Sequence, residues 1–95
     1  MDVIDGVRIV SDTSEHTELV VKAVEKFAQA GWDLTNTEVR FDAAACDRAV
    51  GFHTEERGHH SVVMCTDAEW TLLHELGHVW CVQVYGYCRY WCIPG

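Results

Sequence analysis

Positive charge is scarce in this chain. Seven Lys and Arg stand against fifteen Asp and Glu, a net charge of −8 over 95 residues. That balance argues against nucleic acid and against an anionic membrane surface as partners, since both need a basic face. Long apolar runs are lacking too. No stretch approaches the ~20 residues of a bilayer-crossing helix. The opening MDVIDGVRIV has no basic segment leading into a long apolar one, so no secretory signal is visible and the cytoplasm is the expected compartment. Repeats and low-complexity tracts are missing, and 95 residues fit a single domain, 1–95, with a modest core. One last shortage bears on the chemistry: no Asp or Glu follows Glu75.

Cysteine, by contrast, is well represented, at positions 46, 65, 81, 88 and 92. An odd count forbids complete internal pairing, and a reducing compartment would keep most of them as thiols. Cys46 and Cys65 can meet only if their strands are neighbours, which the sequence leaves open.

Along the chain, Val7–Val10 reads as a first strand. Ser11-Asp12-Thr13-Ser14 is dense in N-cap residues, and a helix follows to about Ala30, with Gly31 as its stop. Its stripe of Leu19, Val20, Ala23, Val24, Phe27 and Ala30 has helical spacing. His16 in its first turn reads as a solvated polar residue. Thr37–Phe41 alternates as a half-buried strand, and residues 42–48 read as a loop. Ala49–His53 and His60–Cys65 read as paired strands, with the polar stretch Thr54–Gly58 making the hairpin loop between them. The run Val62-Val63-Met64 predicts a strand buried on both faces or covered by the next helix.

That next helix dominates the sequence. Thr66-Asp67-Ala68-Glu69 matches a capping box, predicting a start near Asp67 and about 1 kcal/mol of stabilisation. At about 100° per residue, Leu72, Leu73, Leu76, Val79 and Trp80 share one side, and His74, His78 and Cys81 the other. Gly86 is the expected stop, leaving 86–95 as an irregular, aromatic- and cysteine-rich tail. Within the helix stands His74-Glu75-Leu76-Gly77-His78, an H-E-x-x-H motif. Helical residues four apart differ by about 40° in direction and about 6 Å in rise, so two imidazoles there can grip one ion, with Glu75 in reach of its water. The element order predicts an α+β layer, with helices on one face of a small sheet.

This order, and above all SVVMCTDAEWTLLHELGHVW (residues 61–80), resembles the zincin metallopeptidases, most closely a minimal gluzincin lacking the C-terminal glutamate helix. The resemblance implies a zincin-like N-terminal subdomain, a small mixed sheet packed with the N-terminal helix and the metal-site helix. It implies a zinc-dependent peptidase acting on a peptide or protein. His74 and His78 would be zinc ligands, and Glu75 the base that deprotonates the attacking water and then protonates the leaving amine. It also makes His60–Cys65 the sheet edge that pairs with extended substrate.

The third ligand departs from the family's patterns. A gluzincin glutamate is missing after Glu75, and where a metzincin has Gly and His this chain has Cys81 and Val84. Candidates are Cys81, the pair Cys88 and Cys92, one of His53, His59 and His60, or a carboxylate of the first helix, Glu18 or Glu25. Tyr85, Tyr87 or Tyr90 could steady an oxyanion. Two further readings stand beside the enzyme: a non-catalytic zinc module closed by His74, His78 and two of Cys81, Cys88 and Cys92, and an incomplete scaffold using its edge strand for contacts.

Overall fold

A computed structural model describes residues 2–4, 6–11 and 13–86. It has two helices on a five-stranded mixed sheet. In chain order these are β1 (Asp2–Ile4), β2 (Val7–Val10), α1 (Ser14–Gln29), β3 (Thr37–Phe41), β4 (Gly51–Glu56), β5 (His59–Met64) and α2 (Glu69–Tyr85). The sheet order is β1-β2-β3-β5-β4. The β2–β3 and β3–β5 pairs are parallel, and the β1–β2 and β4–β5 pairs antiparallel. Parallel neighbours need a crossover, and α1 supplies the one between β2 and β3.

Register explains the core. Ile9, Val39 and Val62 lie side by side across three strands, as do Val7, Thr37 and His60. All six are buried. The apolar four, Val7, Ile9, Val39 and Val62, meet Val20, Ala23, Val24 and Phe27 of α1 and Leu72, Leu76 and Val79 of α2 in one cluster. The residues between them point to the other face, where Glu38 pairs with Arg8 at 3.8 Å and Arg40 at 3.7 Å. Val63 is only half-buried there, so the apolar run of β5 is covered by helix on one face and not on both.

Four local expectations need correction. The segment before Val7 is a strand in its own right, β1, turned back on β2 through Gly6. Gly6 has φ +82°, and a Cβ on it would stand 2.5 Å from the Leu34 carbonyl oxygen, so the turn needs glycine. The β4–β5 connection is not a loop over residues 54–58. The strands run on to Glu56 and from His59, leaving Arg57 and Gly58, at φ 53° and 81°, as a two-residue turn of the I′ kind that matches strand twist.

The capping box does not form. Helix α2 starts at Glu69 with Ala68 as N-cap and no side-chain cap bond. Glu69 is thus the first helical residue and not the third, and it pairs with Lys26 of α1. Asp67 bonds His16 instead, at 2.7 Å. Lastly, β5 is an interior strand, between β3 and β4, and the edge beside α2 is β4.

The other ends match expectation. Thr13 caps α1 through its side-chain oxygen, which accepts from the His16 N–H. Gly31 follows at φ +80°, and Gly86 closes α2 at φ +79°. The loop after β3 is tied down by a Cys46–Cys65 disulfide, the pairing that needed neighbouring strands. The tail beyond Gly86, with Tyr87, Cys88, Tyr90 and Cys92, lies outside the described residues.

Candidate metal centre

The helix delivers its two histidines to one point. His74 Nε2 and His78 Nε2 are 3.1 Å apart, the rings edge to face with centroids 4.7 Å apart. Two nitrogens sharing a tetrahedral zinc at 2.0–2.1 Å sit about 3.3 Å apart. The pair therefore has nearly the bite of a two-histidine grip. Glu75, between them in sequence, is 7% exposed. Its burial raises its carboxyl pKa above the ordinary value, against the pull of neighbouring His74.

Across from α2, the sheet contributes two more imidazoles. The β4–β5 register sets His53 opposite Val62 and Glu55 opposite His60. His53 and His60 are therefore diagonal neighbours on the helix-facing side. His53 Nε2 lies 2.8 Å from His60 Nδ1, with stacked rings. The His53 ring lies 6.3 Å from the His78 ring, the planes 12° apart. Gly51 lets α2 come this close to β4: a Cβ there would be 3.1 Å from Thr71 Cγ2 and 3.2 Å from the Val63 carbonyl oxygen.

Burial, and then neighbouring imidazoles, favour the neutral form of His53, His60 and His78, the form that binds metal. His53 is lowered to about 4 by burial and then by His60 and His78, against Glu55. His60 is lowered by burial, with Glu55 opposing and His59 adding a little. His78 is lowered by burial and by His74.

Among the described residues, no three His, Cys, Asp or Glu side chains stand as a ready metal-holding group. Of the expected site, the described structure brings His74 and His78 together, with buried Glu75 next to His74 in the chain and within its electrostatic reach. Of the third-ligand candidates, Cys81 is buried at 2% exposure, one turn past His78. Glu18 and Glu25 are exposed, opposite the buried stripe of α1. His59 is exposed beside the hairpin turn. Cys88 and Cys92 lie outside the described residues, as do Tyr87 and Tyr90, while Tyr85 is exposed at the end of α2. His16 is engaged elsewhere: its ring nitrogens bond Ser11 and Asp67, and it stacks on Phe41 at 3.9 Å.

From the sequence, His53 and His60 stand at strand ends as alternative single candidates for the third ligand. What the sequence does not show is their partnership, which depends on a turn two residues long. Beside His74 there is also an apolar hollow of about 280 Å³ between the helices, walled by Phe27, Trp32, Trp70 and Leu73. Trp70 is 75% exposed. The chain matches no protein-family model, no curated protein and no solved structure.

Proposed function

We propose that this chain is a zincin-like zinc metallopeptidase domain of the minimal gluzincin kind, hydrolysing peptide bonds. The observation that carries the reading is the 3.1 Å spacing of His74 Nε2 and His78 Nε2 with buried Glu75 between them in sequence. These donors fit zinc: two imidazoles at the bite of a tetrahedral ion. When bound, zinc supplies a Lewis acid that polarises a carbonyl and brings the pKa of a water down to about 7.

The rest belongs to the chain. His74 and His78 fix the position of the site on a helix anchored by Leu72, Leu76 and Val79. Glu75 is the proton carrier. Its raised pKa brings it nearer to a water it must deprotonate and a leaving amine it must protonate. Extended peptide pairs with the backbone of β4, the edge strand next to α2. The aromatic-walled hollow beside His74 supports a preference for a bulky apolar side chain near the cleaved bond.

The competing non-catalytic zinc module needs thiolates at two of Cys81, Cys88 and Cys92. Cytoplasmic residence suits a reduced form of the chain, whereas the Cys46–Cys65 disulfide belongs to an oxidising setting. Thiol titration of protein taken from its native compartment separates those two. No described helix is long and apolar enough to cross a membrane.

The test is Glu75→Gln measured for zinc binding and for cleavage of a peptide library. Zinc retained with cleavage lost supports the enzyme. Cleavage that survives the substitution sinks the assigned mechanism, and zinc lost on alkylating the metal-free protein supports the closed module instead.

A further inference from the structure

We infer that His53, on edge strand β4, is the third metal ligand of this site, held in its ligating form by His60. This rests on the zinc reading above and supplies the donor that reading lacks.

The argument is geometric. The β4–β5 register turns His53 toward the helices, and α2 lies over β4 closely enough that Gly51 has no room for a Cβ without contact. His53 is the sheet histidine whose ring faces His78, at 6.3 Å between centroids. Two imidazoles on one tetrahedral zinc have centroids roughly 5 Å apart, from metal–nitrogen bonds of 2.0–2.1 Å. The His74–His78 separation of 4.7 Å already meets that figure. His53 must close by about 1 Å and turn its ring, now 12° from parallel with that of His78, so that both point a nitrogen at one ion.

His60 supplies the second half. A ligating histidine holds its other ring N–H against an acceptor, which fixes tautomer and orientation. His60 Nδ1 is 2.8 Å from His53 Nε2. With the proton on His53 Nε2 donated to His60 Nδ1, the His53 Nδ1 lone pair is left for the metal. His60 is 2% exposed on an interior strand, so it is a rigid positioning residue. The ligand set becomes two Nε2 donors from the helix and one Nδ1 donor from the sheet. Ligands drawn from both sides of the cleft would make bound metal clamp α2 onto β4.

The experiment needs no activity. Ring-nitrogen NMR of the 95-residue chain is followed through a zinc titration. Competition with a chromogenic chelator then gives zinc affinity for the wild type, His53→Ala, His53→Gln and His60→Ala. Expected are metal-induced shifts at Nδ1 of His53 and at Nε2 of His74 and His78. Affinity should fall by more than about 100-fold in both His53 variants, beyond the 10–100-fold typical of an orienting residue such as His60. Zinc shifts confined to His74 and His78, or affinity unchanged in the His53 variants, overturn the assignment and leave the zinc reading standing. A wild type that binds no zinc overturns both. The NMR titration uses unaltered protein, so a variant that fails to fold leaves the outcome decided.

Discussion

Removing the Cys46–Cys65 bridge gives the most quantitative check on this structure. The disulfide closes a segment with a sequence separation of 19. It ties the loop after β3 to the residue that follows β5. Both cysteines are only half-buried, so Cys46→Ala with Cys65→Ala loses little packing. The effect comes mainly from freeing the unfolded chain. For a loop of that length the chain-entropy relation gives about 3 kcal/mol. In a domain of this size, 1 kcal/mol moves the melting temperature by about 4–8 °C, so Tm should fall by roughly 12–25 °C. The assay is circular-dichroism melting and urea titration in chelator, with wild-type protein oxidised and reduced beside the double variant. Reduced wild type should match the variant, and the urea m-value should rise as the unfolded ensemble expands. A loss under about 1 kcal/mol would refute the reasoning. It would mean either that the bridge does not form or that the unfolded chain is already compact around it.

Other outcomes follow from the same fold. Gly6→Ala should destabilise by at least 1–2 kcal/mol from its left-handed backbone alone, with more from the 2.5 Å approach to the Leu34 carbonyl; urea midpoints check it. Thr66→Ala should cost under about 0.5 kcal/mol, where a working capping box would cost about 1, because Thr66 Oγ1 accepts only a local Ala68 N–H at 3.3 Å. Leu76→Ala, at a fully buried core position, should cost about 2–5 kcal/mol by chemical denaturation. In metal-free protein, stability should fall as pH drops from 6.5 toward about 4. His53, His60 and His78 have folded-state pKa values below the unfolded 6.5, so in that window the unfolded chain binds more protons. Glu75, whose folded-state pKa is raised, opposes this trend, so the check is made on the Glu75→Gln protein, where a flat urea midpoint between pH 7 and pH 5 would contradict the histidine shifts.

Helix α1 and the strand Thr37–Phe41 were legible because their signals are local: spacing, a cap and a glycine stop. The HELGH pair was legible for the same reason, since four residues of helix fix the spacing of His74 and His78. The His53–His60 contact was not, because it depends on register. Strands bounded at His53 and His60 would set the two directly opposite each other, whereas the observed ladder sets His53 opposite Val62 and leaves His60 diagonal to it. The observed turn puts an ordinary arginine, Arg57, at positive φ, and nothing in the local sequence announces it. Thr66-x-x-Glu69 misled for a related reason. A capping motif acts only in frame with the helix, and tertiary partners Lys26 and His16 claimed Glu69 and Asp67.

The two-residue turn also bears on the order in which the molecule assembles. A hairpin so connected forms in about 1–10 μs, and it carries the His53–His60 contact complete. The parallel pairing of β5 with β3 spans a long intervening chain and must come later. The helical pair His74 and His78 forms with α2. The two histidine pairs therefore meet only when the hairpin docks beneath that helix, a late event. An ion held by His74 and His78 on one side and His53 on the other would stabilise the native state more than the transition state. Zinc should then slow unfolding far more than it speeds folding, making the metal chiefly a determinant of how long the folded molecule lasts.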